Sequence, residues 1–163
     1  MAEGPDGTVS WRQLRAEAER RLGEAGPVDS DPVLDARCIV EQASGLEGAE
    51  AVLGLDQPAT RRGVHAFDLM LERRLAGEPL QYVLGRWGFR TLDLFLDARV
   101  LIPRPETEIV VEHALGELDR AAPAARAAGR TPVVVDLGTG SGAIALSVAA
   151  ERPGVEVWAT DRS

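Results

Sequence analysis

The sequence predicts an α/β protein in three parts: a small N-terminal helical domain, a β-hairpin joint, and the first βαβ unit of a parallel sheet. Three observations carry this. Apolar residues recur at the helical period of 3.6 through about residue 76. The period then changes to alternation, with Leu92, Leu94 and Leu96 on one face of FRTLDLFLD. From Thr131 the order is apolar run, glycine turn, apolar helix, turn, apolar run: VVVDL, GTGSG, AIALSVAAE, RPG, VEVWATD. The parts span residues 1–78, 79–105 and 106–163.

Ser10 is placed to cap a first helix through about Glu24, with Leu14, Ala18 and Leu22 on one stripe. Asp31-Pro32 is a cap followed by proline at the first helical position, opening a helix to about Ala43. Its inward positions are Val33, Ala36, Ile39, Val40 and Ala43. A third helix runs from about Thr60 to Ala76, with Val64, Phe67, Met70, Leu71 and Leu75 inward and Gly77 as its stop. After the hairpin, ETEIVVEHAL starts a helix with carboxylates near its positive end. Leu118 to Arg130 (LDRAAPAARAAGR) contains Pro and Gly and reads as a mobile loop.

Composition narrows the function classes. The 163 residues suffice for one ordinary domain or two small ones, and no apolar run approaches the ~18 residues of a membrane span. The start, MAEGPDGTVS, lacks a secretory layout, so the expected location is cytoplasmic. A formal charge of −8 argues against a nucleic-acid binder. Cys38 is the single cysteine, which excludes an intramolecular disulfide and a Cys-based zinc site; its apolar setting predicts a buried core thiol. His65 and His113 have no partners at metal spacing, so no metal site is expected. The absence of Lys carries no functional weight. Asn is absent too, and that bears on catalysis.

DLGTGSG carries the chemistry. Gly138, Gly140 and Gly142 allow a tight strand-to-helix turn and close approach of a ligand to the backbone. Amides at the helix start attract anionic or polar groups. Asp161 follows Gly138 by 23 positions, where a carboxylate can accept both hydroxyls of a ribose. To this point NAD and S-adenosylmethionine fit equally. Asp136, two residues before the first glycine, tilts the choice, because a carboxylate there repels a pyrophosphate but suits a sulfonium and an ammonium. The spacing G-x-G-x-G tilts it the same way. Asp136 can equally cap the turn, and Ser141 can cap the helix through its hydroxyl.

The block Gly77 to Glu108, GEPLQYVLGRWGFRTLDLFLDARVLIPRPETE, together with DLGTGSGAIALSVA and ATD, resembles the HemK/PrmC family. These are N5-glutamine methyltransferases of peptide chain release factors. The likeness covers nearly the whole chain. Similar ribosomal protein L3 glutamine methyltransferases depart from R-P-E-T-E, which is intact here as Arg104-Pro105-Glu106-Thr107-Glu108. The resemblance implies a Rossmann-like class I methyltransferase sheet, a helical domain that helps to grip the substrate, and S-adenosylmethionine as cofactor. It also implies class 1 release factors as partner and substrate, methylated on the glutamine amide of Gly-Gly-Gln.

By that resemblance Asp136, Gly138, Thr139, Gly140, Ser141, Gly142 and Asp161 bind the cofactor. Arg104, Glu106 and Thr107 either line the pocket or, for the latter two, cap the helix. The family's catalytic Asn-Pro-Pro-Tyr cannot lie within these residues, so no catalytic residue is assigned. The chain as given is expected to be an inactive, truncated portion that acts as a monomer without membrane or nucleic-acid partners. A non-catalytic release-factor-binding piece is the competing expectation. Trp87 and Phe89 are expected as hinge packing, and Trp11 and Trp158 as core or rim. Two parallel strands cannot cover both of their own faces, which predicts an exposed flank prone to aggregation.

Overall fold

A computed structural model describes residues 8–162; residues 1–7, at the start of the expected helical domain and of the stretch read for a leader, and Ser163 lie outside the described residues. The chain divides into two compact units, Met1–Leu84 and Gly85–Ser163.

The first unit is helical: α1 (Trp11–Ala25), α2 (Pro32–Ser44), α3 (Gly48–Leu53), α4 (Arg61–Leu75) and α5 (Leu80–Leu84). Three starts follow from capping chemistry. The Ser10 hydroxyl accepts from the Gln13 amide while the Gln13 side chain accepts from the Ser10 amide, a reciprocal capping box. Asp31 accepts from the Val33 and Leu34 amides, and Thr60 from that of Gly63. The core joins Trp11, Leu14, Ala18 and Leu22 of α1 to Ala36, Ile39 and Val40 of α2 and Phe67, Met70 and Leu71 of α4. Close approach is demanded at Gly63, where a Cβ would meet the Trp11 ring at 2.5 Å.

Several inward expectations are corrected. Val33 is 56% exposed, on the face of α2 away from the buried Asp35. Val64, Leu75 and Ala43 are only half-buried, and so is Cys38, whose thiol burial nevertheless holds above its ordinary pKa. The short helices α3 and α5, outside the three helices expected in this unit, have too few residues to show a period. Arg74 is buried as well. Its Nε donates to Asp35 Oδ2 at 2.7 Å, Nη1 donates to the Glu78 carbonyl, and Asp35 also accepts from Ser30. A buried guanidinium persists when its donors are met in this way.

The second unit opens with an antiparallel hairpin, β1 (Arg86–Phe89) and β2 (Leu92–Phe95), paired Trp87 to Leu94 and Phe89 to Leu92. Phe89, Leu94 and Leu96 are buried. The turn places Arg90 at φ 52, a left-handed conformation unusual for a residue with a Cβ. Then come α6 (Glu106–Ala127), β3 (Val133–Leu137), α7 (Ala143–Glu151) and β4 (Glu156–Thr160).

Residues 118–127 of the expected loop are instead the end of α6, which contains Pro123. The alanines favour helix, Leu118 and Ala122 are buried, and Arg152 clamps the Asp119 carboxylate at 2.7 and 2.8 Å. These offset the amide bond that Pro123 cannot make.

β3 and β4 pair in parallel, Val133 to Glu156 through Leu137 to Thr160, and α7 packs on both. Val133, Val135, Leu137 and Trp158 are each more than half exposed. Trp158 is therefore neither core nor rim but part of an open apolar sheet face, its indole N–H donating to Glu156. Among the described residues no helix is long and apolar enough to cross a membrane.

Candidate functional site

The turn after β3 is built by Asp136 and three left-handed glycines. Gly138, Gly140 and Gly142 take φ of 78, 55 and 78, which L side chains rarely adopt. The Gly138 and Thr139 amides both donate to the Thr160 carbonyl, at 2.8 and 3.0 Å, closing the turn onto the end of β4. Asp136 Oδ2 accepts from the Thr139 hydroxyl at 2.8 Å and from the Ala145 amide at 3.3 Å. Ala145 is the third residue of α7, so Asp136 caps that helix from the preceding strand. The formal cap position is Gly142, and no side chain caps there; Ser141 therefore does not play the capping role.

Asp161, just past β4, accepts from the Gly140 amide through Oδ2 at 2.8 Å and from the Arg162 amide through Oδ1 at 2.7 Å. The two acidic residues thus grip opposite sides of the same turn. All seven sequence-predicted site residues come together in this one structure.

A cavity of about 350 Å³ opens beside it, lined by Gly140, Ser141 and Asp161 from the turns and by Phe95, Asp97, Arg99 and Val100 following and ending β2. That volume lies within the range of small-molecule sites. The hairpin contribution was not identified from sequence, although a signal existed: alternation puts Phe95 on the face opposite Leu94 and Leu96. Phe95 is 74% exposed. Asp97 accepts from the amide, Nε and Nη2 of Arg99, and this guanidinium holds its carboxyl down at about 2.

Arg90 fastens the hairpin to the rest of the unit. Its guanidinium pairs with Glu151 at the end of α7 (2.6 and 2.8 Å) and with Glu112, while its amide donates to Glu108 of the PETE segment. The bond from Arg90 holds Glu151 below its ordinary carboxylate value. Arg104 and Glu106 are exposed and Thr107 half-buried at the start of α6, whose cap position, Pro105, carries no side-chain bond. Glu106 and Thr107 thus do not supply the cap there. His65 and His113 are exposed, and no group of metal-ligating side chains forms among the described residues.

The lining carries two carboxylates, Asp97 and Asp161, against one guanidinium, Arg99. This charge balance opposes a pyrophosphate and accommodates a ligand with net positive charge.

The PrmC N-terminal domain family matches residues 13–85. The release factor glutamine methyltransferase of Burkholderia pseudomallei is 41% identical over 142 residues, covering 87% of this chain and 46% of the relative. This chain thus carries a PrmC N-terminal domain. The release factor glutamine methyltransferase of Chlorobaculum tepidum is 39% identical over 146 residues (90% of this chain, 46% of the relative). That of Moorella thermoacetica is 40% identical over 155 residues (95% and 51%). The chain spans about half the length of the PrmC-family relatives it matches. The architecture in hand is mixed α/β with an N-terminal helical unit and short sheets.

Proposed function

We propose that this chain provides the helical docking unit and the cofactor turn of an S-adenosylmethionine-dependent protein-glutamine N5-methyltransferase. Its substrate is the glutamine of the Gly-Gly-Gln motif in class 1 release factors, in the cytoplasm. The observation that carries the reading is the glycine turn bracketed by Asp136 and Asp161 beside a net-acidic cavity. An intact Arg104-Pro105-Glu106-Thr107-Glu108 favours release factors over ribosomal protein L3 as substrate.

In this reading Gly138, Gly140 and Gly142 let the ligand lie against bare backbone, with Thr139 and Ser141 offering hydroxyls. Asp136 holds the turn to α7. Asp161, oriented by the Gly140 amide, accepts from the ribose hydroxyls. The sheet belongs to a Rossmann-like methyltransferase domain. When bound, S-adenosylmethionine supplies a methyl group activated by its sulfonium. An amide nitrogen is a poor nucleophile because its lone pair is delocalised, so a further group must orient it. No Asn occurs in the 163 residues, and we propose that these residues alone transfer no methyl group.

The test is incubation of a release factor, and of its Gly-Gly-Gln variant lacking the glutamine, with labelled methyl donor. The 163-residue chain should leave both unlabelled, and the protein containing the full catalytic site should label only the first. Turnover by the 163 residues overturns the claim of inactivity, and labelling of the glutamine-free variant overturns the substrate.

A further inference from the structure

Beyond the turn itself, the cavity carries one paired set of opposite charges. Asp97 and Arg99 sit on a tight turn after β2, in which the Arg99 amide donates to Asp97 Oδ1 at 2.9 Å and the Val100 amide to the Asp97 carbonyl at 3.2 Å. Arg99 Nε reaches both Asp97 oxygens at 2.9 Å. The amide bonds therefore fix the turn and its carboxylate, and the carboxylate holds the guanidinium beside it before any ligand arrives, which lowers the ordering cost of binding.

We infer that Asp97 and Arg99 recognise the amino-acid end of the cofactor, the ammonium meeting Asp97 and the carboxylate meeting Arg99. The inference rests on the cofactor reading above. An α-amino-carboxylate presents a positive and a negative group a few bonds apart, and an adjacent carboxylate and guanidinium match it in sign and scale. The Arg99 side chain, paired with Asp97 through Nε and Nη2, is 83% exposed and open to a ligand, against 17% for Arg90, whose guanidinium pairs with Glu112 and Glu151. Phe95, two residues before Asp97 and also in the lining, offers apolar surface to the methylene chain between sulfur and ammonium. Asp161, at the other turn of the lining, leaves the ribose as the part of the ligand it serves. Arg99 is thereby a specificity residue for the amino-acid end and has no part in holding the nucleoside.

Two ligands separate these roles. S-adenosylhomocysteine carries the amino-acid end, whereas 5′-methylthioadenosine keeps the nucleoside and thioether and lacks it. Calorimetric binding to the full chain is compared for the natural protein, Arg99→Ala and Asp97→Asn, with thermal melting of each to verify folding. Arg99→Ala should weaken S-adenosylhomocysteine about tenfold and leave 5′-methylthioadenosine within about twofold, with Asp97→Asn acting in the same direction. Equal weakening of both ligands, or unchanged S-adenosylhomocysteine affinity, overturns the inference while the cofactor reading stands. If neither nucleoside binds the natural protein, the cofactor reading falls and this inference with it.

Discussion

The Gly140 amide donates to Asp161 Oδ2 at 2.8 Å, so the acidic residue after β4 is locked to the middle of the glycine turn after β3. This bond thus contributes both to the path of the turn and to the direction of the carboxylate. Asp161→Ala should remove a ligand acceptor and free the turn. S-adenosylhomocysteine affinity in the full chain should fall by at least about tenfold, as for loss of a charged hydrogen-bonding partner. Asp161→Asn keeps one acceptor oxygen and should fall less. Calorimetry on both variants checks the order.

Asp136 acts on the same turn from the other side, capping α7 through the Ala145 amide. Asp136→Ala should destabilise the second unit by about 1 kcal/mol, the typical cost of a lost cap. Chemical denaturation of the variant measures it, and an unchanged midpoint would mean that the bond contributes nothing.

In the helical unit, Arg74 and Asp35 are both buried and joined at 2.7 Å. Asp35→Ala leaves the guanidinium in the core with Asp29, itself largely exposed, as its remaining carboxylate. The expected loss is about 3–5 kcal/mol, that of breaking a buried pair from one side. Hydrogen exchange should show it in α2 and α4. A loss below 1 kcal/mol would mean that water reaches Arg74.

Asp97 provides a pH signature. The Arg99 side chain, and then its amide, hold the carboxyl at about 2 against an ordinary value of 3.8. The folded value is the lower one, so the pair's contribution is complete above about pH 4 and lost as pH falls through about 2. Carboxyl NMR should give that midpoint, and Arg99→Ala should return it toward 3.8. A midpoint unmoved by the substitution contradicts the pairing.

Much of the fold was legible because its signals are local. Ser10, Asp31 and Thr60 announce helix starts through side-chain oxygens that reach amides two or three residues on, and DLGTGSG announces its turn through glycine. What escaped depends on partners distant in sequence. Pro123 reads as a breaker until Ala122 is seen buried and Arg152 is seen holding Asp119. Arg74 reads as solvent-facing until Asp35, 39 positions earlier, is found beside it. At the site, Asp136 and Asp161 were visible by spacing. Arg99 and Phe95 were not, since the apposition of a hairpin and a turn some forty residues apart leaves no periodic mark.

The central claim is that the turn accepts S-adenosylmethionine rather than a dinucleotide, and ligand-dependent thermal melting tests it most directly. The predicted result is a raised midpoint with S-adenosylhomocysteine and none with NAD, by the linkage of binding to stability. Stabilisation by NAD with no response to S-adenosylhomocysteine would contradict the account.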